Sequence, residues 1–125
     1  MLTIDPKSHV PPFEQLRLQL LEQVKTGELA AGTKLPTVRR LAEDLGIAAG
    51  TVARAYRELE ASGVIETRGR NGTYVSPHGD AVHREAQRAA AVFADQVRAL
   101  RLDTEEAIAL VSAALRNGPT MDAVG

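Results

Sequence analysis

The chain has no cysteine, and it also lacks the sequence features of membrane-spanning and secreted proteins. The absence of thiols excludes disulfides and zinc sites built on thiolates. No stretch approaches the ~20 apolar residues of a transmembrane helix, and no basic segment followed by an apolar run opens the chain. With 125 residues, 44% of them hydrophobic, the chain can bury one small core and carry an appendage. We therefore expect a cytoplasmic protein that folds without covalent cross-links.

The patterns that accompany catalysis or metal binding are missing as well. The sequence has no glycine-rich phosphate loop and no supported Ser/His/Asp set, and Glu105 and Glu106 suit the start of a helix. His78 and His83 lie near Asp80, but histidines in loops are far more often not metal ligands. We expect a protein that is not an enzyme and that needs no metal or cofactor.

What the sequence does contain is a pair of short helical patterns within residues 35–75. In the first, Pro36 and Thr37 form a helix start signal, and Gly46 forms a left-handed stop. The apolar residues between them, which recur with the 3.6-residue period, are Val38, Leu41, Ala42 and Leu45. The pattern predicts a helix of about two to three turns.

The second helical pattern follows the short connection Gly46-Ile47-Ala48 and ends at Gly63. Because this connection is short, the two helices must cross at a large angle, which is the geometry of a helix-turn-helix. The apolar face of the second helix consists of Val52, Ala55, Tyr56 and Leu59. The opposite face consists of Gly50, Thr51, Arg54 and Arg57. Tyr56 shares the apolar face, which favours core packing over base stacking.

A β-hairpin is predicted directly after the helix-turn-helix. Residues 64–68 and 73–76 are β-prone and flank Gly69-Arg70-Asn71-Gly72, in which Asn-Gly is the strongest short hairpin signal. A hairpin with Arg68 and Arg70 near its tip is typical of the wing of a DNA-binding winged helix. Either arginine would read the shape of a narrow minor groove or grip backbone phosphate. A plain solvent-exposed hairpin is the alternative.

The charge of the chain is distributed unevenly. The net charge of -1 differs from that of strongly basic nucleic-acid coat proteins. Residues 34–73, however, carry seven basic and five acidic side chains, whereas five arginines face seven carboxylates beyond Ser76. Positive charge therefore lies where the helices and wing would meet phosphate, and specific contacts must supply the selectivity.

The segment before the helix-turn-helix is predicted to support it. Leu2-Thr3-Ile4 suggests a short strand, and Pro11-Pro12 sets up a helix over residues 13–25 that ends at Gly27. This helix should pack against the side of the helix-turn-helix that faces away from DNA. Residues 28–34 are predicted to be a connector.

The segment after Ser76 is predicted to form a linker and two helices. Asp80 is a candidate N-cap for an alanine-rich helix of about 20 residues with an apolar stripe. A second helix begins near Asp103 and ends at Asn117-Gly118-Pro119, and residues 120–125 are expected to be frayed.

Two helices in a hairpin cannot bury both apolar stripes against each other, so we predict a two-fold dimer. The expected interface residues are Phe93, Val97, Leu100, Ile108, Val111 and Leu115. In a dimer, two recognition helices about one DNA turn (~34 Å) apart would read a palindrome. Packing of the hairpin on the DNA-binding domain of the same chain is the alternative. A small-molecule effector remains open, although these two helices leave little room for a pocket of ~300–1,000 Å³.

Several segments resemble the GntR family of bacterial transcription regulators over about residues 10–76. They are Pro12-Phe13-Glu14-Gln15-Leu16, Thr26-Gly27-Glu28-Leu29, Gly32-Thr33-Lys34-Leu35-Pro36 and the helix from Thr51-Val52 to Gly63. The short tail and Arg54-Ala55-Tyr56-Arg57-Glu58-Leu59-Glu60 are similar to the YtrA-like subgroup. The resemblance implies a winged helix-turn-helix that dimerises through its C-terminal part and represses transcription from a palindromic operator, often of a transporter operon and of its own gene.

The resemblance also implies roles for individual residues. Arg39 occupies the position of a DNA-contacting arginine, Thr51 that of the threonine at the start of the recognition helix, and Gly72 that of the wing glycine near the minor groove. The chain departs from the family where many relatives have polar or basic residues, because it carries Ala48-Ala49-Gly50 there. These residues offer no side-chain hydrogen bond to a base, so direct readout shifts to Thr51 and Arg54 or to contacts with thymine methyls.

Physical arguments rank the helix arginines. Arg54 is the best candidate for guanine O6 and N7, with an ion pair to Glu58 at i+4 as the alternative. Arg57 suits a phosphate, and Arg39 combines with the helix dipole to form a phosphate clamp. Arg40 lies 100° further round the same helix than Arg39, and it could equally contact DNA or be a surface charge.

These observations predict a mainly α fold with a small β wing. Residues 1–76 would form the winged helix-turn-helix, and residues 77–125 a linker and a two-helix dimerisation hairpin. The predicted function is sequence-specific regulation of transcription, expected to be repression, on double-stranded DNA. The alternative is a winged helix that binds protein without specific DNA binding.

Overall fold

A computed structural model describes residues 2–118, which contain five α-helices and one small antiparallel sheet. The elements are α1 (Pro12–Thr26), α2 (Val38–Leu45), α3 (Ala49–Ala61), β1 (Ile65–Thr67), β2 (Thr73–Val75), α4 (Ala81–Leu100) and α5 (Thr104–Arg116). The predicted mainly helical fold with a β wing is confirmed. The chain divides into two compact units between Ala91 and Val92, within α4. The functional division into residues 1–76 and 77–125 remains a prediction.

The ends of α2 are set by the two residues predicted from the sequence. The Thr37 hydroxyl accepts a hydrogen bond from the Arg40 backbone N–H at 3.1 Å, which caps the first turn. Gly46 ends the helix with a φ of 68°, a left-handed conformation that glycine adopts at little cost. An N-cap of this kind contributes about 1 kcal/mol.

The core of the first unit lies between α1, α2, α3 and the sheet. Both α1 and α2 pack on α3. Leu16, Val52 and Leu59 are fully buried at its centre. The other core residues are Leu20, Val24, Leu35, Leu41, Ala42, Ala55, Tyr56, Ile65 and Val75. Each predicted apolar face therefore points into one shared core.

Tyr56 packs in this core, as its position on the apolar face predicted. Its side chain is 7% exposed, and its hydroxyl donates a hydrogen bond to the Pro36 carbonyl at 2.7 Å. Desolvation by burial raises the pKa of Tyr56 to about 12. The hydroxyl therefore joins the start of α2 to the middle of α3.

The two strands pair in the register Ile65↔Val75, Glu66↔Tyr74 and Thr67↔Thr73. The connector before α2 covers the other edge of β2. There the Leu35 N–H donates to the Thr73 carbonyl at 2.8 Å, and the Val75 N–H donates to the Thr33 carbonyl at 2.9 Å. The connector thus supplies the partners that an edge strand would otherwise lack.

The wing tip differs from the two-residue Asn-Gly turn that the sequence signal favours. A short 3-10 turn occupies Gly69–Asn71, and the Arg68 N–H closes the loop on the Gly72 carbonyl at 2.8 Å. Gly69 and Gly72 both have positive φ, at 56° and 108°. Two permissive residues therefore allow a wider loop between shorter strands than the sequence predicted.

The strand suggested at Leu2-Thr3-Ile4 does not form. Instead, two glutamine side chains of α1 bond this segment. Gln19 accepts from the Thr3 N–H at 2.9 Å and donates to the Thr3 carbonyl at 2.6 Å, while Gln15 accepts from the Asp5 N–H at 2.8 Å. The backbone groups of the segment are satisfied from α1, so no ladder is required.

The two C-terminal helices form as predicted, and both begin at an aspartate cap. Asp80 accepts from the His83 N–H at 2.9 Å, and Asp103 accepts from the Glu106 N–H at 2.8 Å. In the part of the second unit that the structure describes, residues 92–118, the one buried side chain is Ala107. The predicted fraying of residues 120–125 lies outside the described residues. Across residues 2–118, no helix combines the length and apolar character needed to cross a membrane.

Candidate nucleic-acid interface

The face of α3 opposite the core is open and built from small and basic residues. Gly50, Arg54 and Arg57 are exposed, and Thr51 is half-buried. Apart from its chain neighbours and its own helix backbone, a Cβ added at Gly50 would meet none of the atoms of residues 2–118 within 4 Å. This face is the one that the sequence pattern assigned to DNA.

The start of α3 offers free backbone donors. Its N-cap residue, Ala48, makes no side-chain cap hydrogen bond, and the first backbone bond of the helix runs from the Thr51 N–H to the Ala48 carbonyl at 3.1 Å. Within residues 2–118, the N–H groups of Ala49 and Gly50 have no partner. Unpaired N–H groups and the positive end of the helix dipole suit an anion such as phosphate.

Arg54 is held by two contacts on the side of α3 that faces α1. Its Nε lies 3.3 Å from Glu58 Oε2, and its Cζ lies 3.6 Å from the centroid of the Phe13 ring. Its side chain remains 56% exposed. The ion pair that we considered as the alternative to base contact is therefore formed in the free protein, together with a stacking contact that the sequence did not indicate.

The remaining helix arginines differ in their partners. Arg40 pairs with Asp44 at 3.2 Å, one turn along α2. Arg39 and Arg57 are exposed, and neither forms an ion pair with any of the residues that the structure describes. Their positive charges are available to an external anion, whereas that of Arg40 is partly neutralised.

The wing shows the same contrast between its two arginines. Arg68 pairs with Glu66 at 2.9 Å and stacks over the Tyr74 ring at 4.2 Å. Arg70, in the 3-10 turn at the tip, is exposed and has no ion-pair partner within residues 2–118. Arg70 therefore carries the available charge of the tip.

Lys34 is a candidate that the sequence argument counted as charge but did not place in the site. Its backbone bridges to Tyr74 beside β2, which brings it to the base of the wing. Its side chain crosses Gly72 so closely that a Cβ there would lie 2.9 Å from Lys34 Cε. No local sequence pattern indicates this contact, because Lys34 belongs to the connector and lies far from Gly72 along the chain.

The histidines near the linker are used in local structure. His83 Nδ1 lies 2.9 Å from Asp80 Oδ1, and the hydrogen bonds from His83 lower the pKa of Asp80. The His78 backbone bonds the Gln87 side chain through its N–H at 2.8 Å and its carbonyl at 3.0 Å. Within residues 2–118, no group of three or more His, Cys, Asp or Glu side chains is arranged to hold a metal ion.

Four of the six predicted interface residues of the second unit line an apolar groove of about 310 Å³. Phe93, Val97, Ile108 and Val111 line this groove together with the buried Ala107. Leu100 and Leu115 are 70% and 80% exposed. All six predicted residues are thus at least partly accessible on the described surface of this unit.

Comparison with known families places this architecture in context. Residues 12–75 match the family model described as "Bacterial regulatory proteins, gntR family". The matched range begins at α1 and ends with β2, so it spans the helix-turn-helix and the wing.

Individual proteins extend the likeness beyond this range. The chain is 48% identical over 107 residues to the HTH-type transcriptional regulator Rv1152 of Mycobacterium tuberculosis, covering 86% of this chain and 88% of that protein. It is 45% identical over 76 residues to the HTH-type transcriptional repressor YtrA of Bacillus subtilis, covering 61% and 58%. The solved structure of YtrA from Sulfolobus acidocaldarius, a GntR-family transcription factor, superposes with a TM-score of 0.57 at 26% identity, over 93% of this chain and 97% of that one.

Proposed function

Because the chain belongs to the gntR family of bacterial regulatory proteins and resembles its YtrA-like members, we propose that it binds a palindromic operator as a homodimer and represses transcription. Family membership makes the chain a helix-turn-helix transcriptional regulator. The operator, the dimer and repression are the proposal. A transporter operon and the regulator's own gene are the targets that the family resemblance favours.

The observation that carries the proposal is the set of arginines without ion-pair partners among the described residues. Arg39 lies on α2, Arg57 on α3 and Arg70 at the wing tip, which are the three elements that a winged helix presents to DNA. Arginine binds phosphate with several donors at once and is always charged. These residues fit phosphate contacts that set the register of the protein on the duplex.

Base reading is assigned to the face of α3. Thr51 and Arg54 carry the side chains that can hydrogen-bond base edges, and Gly50 allows the backbone to approach closely. An arginine fork matches guanine O6 and N7 in the major groove. Gly72, beside Lys34, would let the wing approach the neighbouring minor groove.

Dimerisation is supported by the exposed apolar surface of the second unit. Leu100, Ile108 and Leu115 are each more than half exposed, and a soluble monomer rarely leaves such a surface uncovered. A second copy would cover the groove and double the DNA contact. A small-molecule effector is compatible with this arrangement, although no residue identifies one.

The test compares matched charge variants in DNA titrations at several salt concentrations. For Arg39→Ala and Arg57→Ala, we expect the slope of log affinity against log salt to fall by about one, with weaker binding to all sequences. Arg40→Ala is the control, because its charge is already paired, and it should change the slope least. If the slope of log affinity against log salt were the same for all three variants, the assignment of Arg39 and Arg57 to phosphate contacts would be contradicted. Binding that shows no sequence preference and disappears at moderate salt would favour the protein-binding alternative.

A further inference from the structure

The contact between Phe13 and Arg54 joins the start of α1 to the recognition face of α3. The Arg54 guanidinium lies 3.6 Å above the Phe13 ring, close enough for a cation-π interaction. The chain has two phenylalanines, so this ring is not one of many that happen to lie nearby. Phe13 is itself half-buried, in the first turn of α1.

A second contact fixes the direction of the same guanidinium. Arg54 Nε faces Glu58 Oε2 at 3.3 Å, while Glu58 Oε1 faces Arg17 Nε at 3.8 Å. Arg17 in turn forms a two-pronged pair with Glu14, at 2.6 and 2.8 Å. The hydrogen bond from Arg17 lowers the pKa of Glu14, so this carboxylate stays charged and keeps Arg17 in place.

These contacts leave the binding edge of Arg54 free. Among residues 2–118, Arg54 hydrogen-bonds through Nε, and the stack occupies only the face of the guanidinium. The terminal nitrogens carry the in-plane donors that grip a guanine edge or a phosphate. Arg54 is thus held in position without using the groups that would bind DNA.

We propose that Phe13 positions Arg54 for DNA recognition from α1, without touching DNA itself. The proposal rests on the proposed DNA-binding function. A flexible arginine loses rotamer freedom when it binds, and a side chain that is already ordered loses less. The Phe13 ring therefore raises affinity through Arg54 alone.

The experiment is a double-mutant cycle on operator affinity with Phe13→Leu and Arg54→Ala. Leucine retains an apolar side chain at this half-buried position but removes the aromatic face. In the presence of Arg54, Phe13→Leu should weaken binding about two- to fivefold, the range expected for a partly exposed cation-π contact. In the Arg54→Ala background, the same substitution should have no effect, and Phe13→Tyr should restore binding when Arg54 is present.

Three outcomes would overturn the inference. An equal loss in both backgrounds would show that Phe13 acts only through the stability of the fold, and an unchanged affinity in the first background would show that Arg54 needs no positioning. Thermal unfolding shows whether each variant folds. If Phe13→Leu does not fold, the operator affinity of Phe13→Tyr is compared with that of the wild type instead. If wild-type protein binds no DNA sequence specifically, the proposed function itself fails, and this result is distinct from the other two.

Discussion

Gly50 gives a prediction in which stability and function change in opposite directions. It lies in the first turn of α3 in a helical conformation. Beyond the helix backbone and its chain neighbours, a Cβ there would contact none of the described residues within 4 Å. Alanine is preferred over glycine in a helix by about 0.5–1 kcal/mol, because glycine loses more backbone freedom on folding. Gly50→Ala should therefore raise the midpoint of thermal unfolding by roughly 2–8 °C.

Gly63 is the matched control for this stability effect. A Cβ there would also contact no atom within 4 Å in the described part of the chain, its sequence neighbours aside, but the φ of Gly63 is +80°. An alanine in the left-handed region costs roughly 1–2 kcal/mol. Gly63→Ala should therefore lower the midpoint, although the two glycines have equally open surroundings.

DNA binding separates the functional from the structural role of Gly50. If α3 brings its backbone N–H groups to a phosphate or a base, an added methyl group holds the duplex away, and affinity should fall about tenfold, as for the loss of one ordinary contact. Circular dichroism measures the unfolding midpoint, and fluorescence anisotropy with a labelled operator measures affinity. A variant that is more stable and binds DNA as tightly as the wild type would refute the close approach of α3. A Gly50→Ala variant that is less stable than the wild type would refute the expected gain in helix stability.

Three further changes test separate parts of the account. Tyr56→Phe should lower the free energy of unfolding by about 1 kcal/mol at neutral pH through the lost bond to Pro36. In the folded protein the pKa of Tyr56 is about 12, above the ordinary value of 10.0. The wild type should therefore lose stability as the pH rises from 10 towards 12. Urea unfolding at these pH values should show that Tyr56→Phe lacks this part of the loss. Lys34→Gln should weaken DNA binding similarly for all sequences and reduce the salt slope by about one, and unchanged titrations would exclude Lys34 from the interface. Ile108→Lys should shift the protein to monomer in analytical ultracentrifugation. It should also weaken binding to a palindrome while leaving the affinity for a half-site unchanged. A dimer that persists in this variant would place the interface elsewhere.

The parts of the fold that could be predicted from the sequence are those encoded by neighbouring residues. Thr37 and Gly46 mark the ends of α2 through hydrogen bonding and φ, and both effects act within one turn. The apolar period of α3 also identified its buried face, including Tyr56. Local chemistry was sufficient at these positions.

The parts that could not be predicted depend on residues far apart in the chain. Residues 32–35, at the end of the connector and just beyond it, pair with β2 through backbone groups, which leave no pattern in the side chains. The Phe13 ring reaches Arg54 only because α1 packs on α3, and no spacing rule predicts this contact. By contrast, the i,i+4 spacing did indicate the pair of Arg54 and Glu58 as an alternative.

The predictions about DNA binding depend on the proposal that the chain recognises a specific palindromic DNA sequence as a dimer. The decisive experiment is the selection of bound DNA from a random-sequence pool by the purified protein, followed by sequencing. We expect an enriched palindrome whose half-sites lie about 10 base pairs (~34 Å) apart, centre to centre. A bound pool without any enriched sequence would contradict the claim, and enrichment of a single half-site without symmetry would contradict the dimer.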